Sequence, residues 1–366
     1  MTTSSQQSQK ELVEHQYADE LARLRAHDRG MKPAGWQLSP QAVVDFICGS
    51  EELGISPKFI GDHAIVERCV VTLAGARPLL LVGEPGTAKS MLSELLSAAI
   101  CSTSALTVQG SAGTTEDQLR YGWNYALLLA QGPCPEAIVD SPVLSAMRQG
   151  TIARIEEITR CQPEVQDSLV SVLSERRITV PELDNYSVAA RPGFCVIATA
   201  NLRDTGVSEM SAALKRRFSF ERIDPISDKY AETSLVIRKT AQAVDTIGGV
   251  KAVDQTAVEC LLTIFRDLRA GRTEEGWTVE KTSSQMSTAE AIDISTSIAL
   301  SSAFFPTSAP PTQLVPSHML SALNQDDSAD SERLATYFDV AVQRRASTNP
   351  ASAWALLWEK RDEYFS

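Results

Sequence analysis

Residues 83–90, Gly83-Glu84-Pro85-Gly86-Thr87-Ala88-Lys89-Ser90, set two glycines, a lysine and a hydroxyl at the spacing of a loop that cradles phosphate. Gly83 and Gly86 allow successive backbone N–H groups to turn inward around phosphate oxygens, and a helix starting behind them adds the positive end of its dipole. Lys89 has the length and charge to reach the outer phosphates of a nucleotide, and the Ser90 hydroxyl suits a magnesium ion. The strict pattern has glycine where this chain has Ala88, one methyl away. A plain Gly-Pro turn between strand and helix is the alternative, but it gives no reason for Lys-Ser at this offset. With Glu84, Pro85, Thr87 and Met91 included, the expected nucleotide-binding set runs unbroken over residues 83–91.

Hydrolysis requires carboxylates at the end of a neighbouring strand. Thr151-Ile152-Ala153-Arg154-Ile155-Glu156-Glu157 offers two: Glu156 to hold magnesium, directly or through water, and Glu157 to polarise an attacking water as general base. Arg154 interrupts the apolar run, and Glu156 stands where aspartate is usual. Taken alone, the segment also reads as a strand running into an acidic helix start. Residues 194–200 form a second apolar strand ending in Asn201, an amide able to position a water against a γ-phosphate. Leu214-Lys215-Arg216-Arg217-Phe218 then ends a helix with two arginines, Arg216 or Arg217 being suited to stabilise transferring phosphate charge in an adjacent subunit. A single such arginine is more often a solvated charge favoured by the helix dipole. The four elements in this order carry the catalytic reading together.

Such groups need a parallel sheet behind them. Residues 76–226 alternate apolar runs with helical patterns, the mark of a parallel α/β sheet, with strand candidates at 78–82, 105–108, 151–155 and 193–200. Beyond Pro225 the strand signal fades, and amphipathic segments at 229–244, 254–269, 287–304 and 331–346 predict a helical domain interrupted by the turn-rich stretch 305–316. Ahead of the sheet, Val13, Tyr17, Leu21 and Leu24 recur at helical spacing, and this stripe must dock on its own core or on a neighbouring subunit. Ser39-Pro40 opens a second helix and residues 63–73 a third, while residues 1–9 are expected to be disordered. The division expected is 1–35, a disordered start and amphipathic helix; 36–226, an α/β nucleotide-binding domain; and 227–366, an all-α region.

Composition narrows the classes. No apolar run among the 366 residues approaches the roughly 18 that a membrane span requires, and the start is Ser/Gln-rich, so the expectation is a cytoplasmic chain with no membrane span. Seven scattered cysteines without a C-x-x-C pair, and four scattered histidines, support neither a zinc site nor a disulfide frame. A net charge of −12 argues against a large nucleic-acid footprint, since the protein's own field would oppose phosphate-backbone binding.

From GEPGTAKSMLSELL, YGWNYALLLAQGP, SPVLSAMRQGTIARIEEITR, EVQDSLVSVLSERRITVPEL, VIATANLRD, LKRRF and SSQMSTAEAI, the chain resembles the AAA+ ATPases of the MoxR family, and within it the YehL-like proteins. The resemblance spans roughly residues 36–300. It implies a P-loop AAA+ core with a parallel sheet followed by an all-α lid, ATP and Mg2+ as ligands, and a homo-oligomer, usually a hexameric ring with ATP at the interfaces. Residues 83–90 then correspond to Walker A, Glu156-Glu157 to Walker B, Asn201 to sensor 1, Arg216 or Arg217 to the arginine finger, and Ile60-Gly61 to the segment that contacts adenine. It further implies a helix-2 insertion at 117–143, a pre-sensor hairpin at 177–190 and a von Willebrand factor A domain protein as partner. Where the family often has a sensor 2 arginine, this chain has Glu290 in Ser287-Thr288-Ala289-Glu290-Ala291. The leading expectation is an Mg-ATP-hydrolysing chaperone or remodeller of a protein partner. A nucleotide-gated scaffold with little hydrolysis is the alternative, and a DNA-processing motor fits the fold but not the charge. Trp354, Leu356, Leu357, Trp358 and Tyr364 suggest a C-terminal docking helix, read as lid core.

Overall fold

Leu79, Leu80 and Leu81 are each no more than 1% exposed, so both faces of their strand are covered. The computed structural model describes residues 11–184, 186–201, 210–245, 253–282, 286–305, 309–322 and 328–365; the expectation for residues 1–9 lies outside them. Its strands are β1 (Leu79–Gly83), β2 (Thr107–Gln109), β3 (Tyr121–Trp123), β4 (Ile138–Asp140), β5 (Ile152–Glu156), β6 (Arg177–Val180), β7 (Tyr186–Ala189), β8 (Cys195–Asn201) and β9 (Ser219–Ile223). Five of them make one sheet in the order β2-β5-β8-β1-β9, parallel at every pairing.

The alternation of side chains divides the sheet into two cores. Leu79, Leu81, Cys195, Ile197 and Ile152 face one cluster, built with helices Pro40–Cys48, His63–Ala74 and Lys89–Cys101. Leu80, Val196, Ala198, Ala153 and Ile155 face the other, with helices Pro142–Gln149 and Pro163–Glu175. The early amphipathic stripe docks on the chain's own core: Val13, Leu21 and Leu24 are buried in the first cluster, and Tyr17 sets its ring edge against Phe46 at 6.0 Å. Lys58 closes this corner, donating to Glu20 at 2.5 Å with its ammonium 4.3 Å from the Phe46 ring centre.

The two inserted segments form antiparallel pairs, β3 with β4 and β6 with β7. Arg120 donates to the Thr179 carbonyl at 3.1 Å and the Tyr121 hydroxyl to Glu182 at 3.1 Å, so each insert holds the other. Between β3 and β4, the helix Tyr125–Gln131 buries none of its residues.

The chain divides into two compact units, residues 1–84 with 88–224, and residues 85–87 with 225–366. In the second, helices Lys229–Asp245, Gln255–Ala270 and Thr288–Phe304 enclose an apolar core with Leu261, Phe265, Tyr337 and Phe338. The turn-rich stretch 305–316 is corrected over its second half, where residues 311–316 open a helix, Pro311–Ala322, with Pro316 inside it. Burial of Thr312, Val315, Pro316 and Met319 offsets the backbone bond that proline removes. The pattern at 331–346 runs through Ser328–Tyr337, a π-helical turn Phe338–Val342 and Gln343–Thr348. Leu357 is fully buried, with Trp354 and Trp358 against the same core. Glu290, found where an arginine was looked for, closes a capping box: the Ser287 N–H donates to its carboxylate at 2.5 Å, and the Glu290 N–H donates to the Ser287 hydroxyl at 3.2 Å.

Candidate functional site

Parallel strands bring their carboxyl ends to one edge, which is where open α/β sheets bind ligands. Gly83 pairs with Asn201 across β1 and β8, and Gln109 with Glu156 across β2 and β5, so the four residues share that edge. Behind β1, Gly86 has φ of 74° and Ala88 of 66°, both left-handed. The second value explains the strict preference for glycine at this position, since a Cβ there is strained by about 1–2 kcal/mol.

The helix Lys89–Cys101 begins at Ala88 with no side-chain cap, whereas Ser39, Asp62 and Ser141 cap theirs. An uncapped first turn presents backbone N–H groups and a dipole end to an anion. Lys89, only 7% exposed, folds over the loop and donates to the carbonyl oxygens of Gly83 at 3.2 Å and Glu84 at 2.6 Å. Met91 packs beside the first core. Ile60 is half-buried and Gly61 exposed, in the segment leading to the helix His63–Ala74.

Glu156 is buried and receives four side chains. Ser90 and Thr199 donate to Oε2 at 2.6 and 2.8 Å, and Ser93 and Arg154 donate to Oε1, both at 2.7 Å. Burial acts to raise its carboxyl, but the Arg154 charge and the hydroxyl donors outweigh this and hold it below the ordinary glutamate value. A carboxylate and a serine hydroxyl side by side at a phosphate loop are hard oxygen donors, a set that fits Mg2+. Glu157 follows in the left-handed region at φ 52°; its N–H donates to Thr199 Oγ1 at 2.9 Å, and its half-buried carboxylate pairs with Arg160 at 2.6 Å. Non-glycine residues held in this region cluster at functional sites.

The two arginines differ. Arg217 donates to the Ser174 hydroxyl at 2.5 Å and the Ala213 carbonyl at 2.6 Å, whereas Arg216 is exposed and its side chain has no partner among the described residues. Sequence reasoning missed Ser93 and Thr199. Their signals were a hydroxyl three residues beyond Ser90 on the same helix and a single polar residue inside the apolar β8. Arg154, read as an interruption, is 4% exposed and belongs to the Glu156 cluster.

Comparison with known proteins adds what geometry alone does not. The model of the AAA domain, dynein-related subfamily, matches residues 78–218, and that of the YehL-like AAA+ ATPase C-terminal domain matches residues 230–364. The protein YehL of Escherichia coli K12, itself described as uncharacterised, is 45% identical over 348 residues, 94% of each chain. An uncharacterised protein of Staphylococcus haemolyticus is 34% identical over 167 residues, 46% of this chain and 62% of its own. Among solved structures, the RuvB Holliday junction branch migration motor of Thermotoga maritima aligns over 83% of this chain and 87% of that one, at 17% identity and a TM-score of 0.45. Both family models and near-full-length identity to YehL lead to one assignment: this chain belongs to the YehL-like AAA+ ATPases.

Proposed function

We propose that the chain hydrolyses Mg-ATP as a ring of identical subunits, of the MoxR type and hexameric as the resemblance implies, and that it spends this energy remodelling a protein partner. One juxtaposition carries the reading: Ser90 and Glu156 lie 2.6 Å apart beneath an uncapped helix, with Glu157 next in sequence and Asn201 beside Gly83. The backbone of residues 83–89 binds the phosphates, and Lys89 exchanges its two carbonyl partners for phosphate oxygens. Ser90 and Glu156 hold magnesium, which when bound supplies positive charge against the developing phosphate charge. Glu157 exchanges Arg160 for a water and takes its proton, while Asn201 orients that water. Ile60 and Gly61 flank the base. Arg216, exposed and unengaged among the described residues, serves the site of a neighbouring copy, whereas Arg217 holds its own helix end. The mutual hold of the two inserts supports their moving as one body toward a client, and the MoxR resemblance supports a von Willebrand factor A domain protein as partner.

Glu157→Gln tests the base and Arg216→Ala the arginine. Each is expected to lower turnover about 100-fold or more while nucleotide still binds. Mixing the two variants should restore part of the activity, because a subunit with intact Glu157 then meets a neighbour with intact Arg216. Undiminished turnover in Glu157→Gln would remove the catalytic assignment. Failure of the mixture to recover would place Arg216 within its own subunit's site.

A further inference from the structure

Resting on the metal-site reading above, we propose that Arg154 and Glu156 are a matched pair, in which Arg154 is the positioning residue that lets a glutamate stand where the shorter aspartate is usual. The side chain of glutamate is one methylene longer, so its carboxylate must be drawn back if one oxygen is to stay beside Ser90. Arg154 and Ser93 take Oε1 at 2.7 Å each, which leaves Oε2 turned to Ser90 and Thr199. Residues i and i+2 of a strand share a face, and the Ile152 that precedes them on this face packs into the cluster under the helix Lys89–Cys101.

Arg154 is itself fixed. Its Nε donates to Ser93 Oγ at 2.9 Å, and its Nη1 to the Ser104 carbonyl at 2.9 Å and Thr107 Oγ1 at 3.1 Å; Glu94 lies 3.4 Å from Nη2. A planar guanidinium can serve these acceptors at once, which a lysine ammonium on its flexible stem cannot. Stability gives no reason for the arrangement, because well-packed apolar residues in place of a buried ion pair are often neutral or better. Orientation of Glu156 does give one. The interrupted strand and the unusual glutamate are thus one adaptation, not two defects.

The test is a double-mutant cycle read by Mg2+-dependent binding of a fluorescent ATP analogue, which does not require turnover. Arg154→Leu should raise the Mg2+ concentration needed for half-maximal binding about tenfold or more, and Glu156→Asp alone should raise it several-fold. The combination Arg154→Leu/Glu156→Asp, an apolar strand followed by the shorter acid, should return to within about threefold of the parent. Losses that simply multiply would overturn the pairing. Should Arg154→Leu fail to fold, Arg154→Lys keeps the charge and loses the fork; an unchanged Mg2+ requirement there would overturn it equally. A parent that binds Mg-nucleotide without turning it over would sink the hydrolysis reading and leave the pair standing. Binding indifferent to Mg2+ in the parent would sink both.

Discussion

Two of the buried arginine-carboxylate clusters among the described residues, one around Glu156 and one around Asp267, are built to opposite ends. At the sheet edge, Glu156 accepts from three hydroxyls and Arg154 with both oxygens engaged, and its carboxyl is held below the ordinary value against the pull of burial. In the helical unit, Asp267 takes Tyr337 at 2.7 Å and Arg345 at 2.9 Å on the same oxygen, and burial pushes its carboxyl up despite them. Arg345 also forks onto Glu275 at 2.7 and 2.8 Å, which holds that more exposed carboxyl down at about 2, and its guanidinium stacks 4.6 Å from the Trp354 ring centre. Hydroxyls exchange partners cheaply; a fork closed by an aromatic ring does not. The first cluster is thus free to exchange its partners, as the proposed metal site requires, and the second ties helices together.

The comparison breaks most visibly at Arg345. Replacing it with methionine leaves Asp267 buried and stripped of its counter-charge, a loss of about 3–5 kcal/mol of stability in the helical unit. Denaturant unfolding should show that unit melting early, with Asp267→Asn restoring part of the loss because the stranded charge is then gone. Full stability in Arg345→Met would mean that the Asp267 cluster ties nothing.

Ligand tests the other half. Mg-ATP at about 100 times its dissociation constant should stabilise what it binds by about 2.7 kcal/mol. Hydrogen exchange should therefore slow in β1, β5 and β8 more than in the helix Gln255–Ala270, and chelating the metal should remove most of that protection. Equal slowing in both regions, or no effect of chelation, would contradict the division of roles.

How much of this could be read from sequence followed from how narrowly each position is constrained. Leu79, Leu80 and Leu81 announce a strand covered on both faces, and Gly86, Lys89 and Ser90 are types that phosphate chemistry leaves little freedom to change. The strand β9 was missed because it is an edge strand with only Ile223 buried, and its two apolar residues, Phe220 and Ile223, stand three apart among polar ones and so give neither an apolar run nor a strict alternation. The helix Pro311–Ala322 was hidden by its own prolines, whose local preference tertiary burial overrides. Arg154 was legible as an oddity but not as a solution. Its partners Ser93, Ser104, Thr107 and Glu94 are 47 to 61 residues away in the chain, and only the fold brings them together.

The smallest effect is expected at Ala88, where the two units also differ. Of the seven described non-glycine residues with positive φ, Ala76, Ala88, Ser102, Glu157, Arg176 and Asp184 lie in the first unit and Met286 alone in the second. Backbone strain among the described residues therefore gathers in the unit that holds the sheet, with Ala88 and Glu157 at its carboxyl edge. Ala88→Gly removes a Cβ that is unfavourable at φ 66° by about 1–2 kcal/mol, and returns about 0.4–1 kcal/mol of that through the freer unfolded chain. The net is a gain of about 0.5–1 kcal/mol, seen as a small rise in the unfolding midpoint of the first unit alone. Nucleotide affinity should stay within about twofold, because the backbone already has the conformation that glycine would adopt. A loss of stability in Ala88→Gly would show that the methyl packs usefully against the first core and that the loop is not strained at this point.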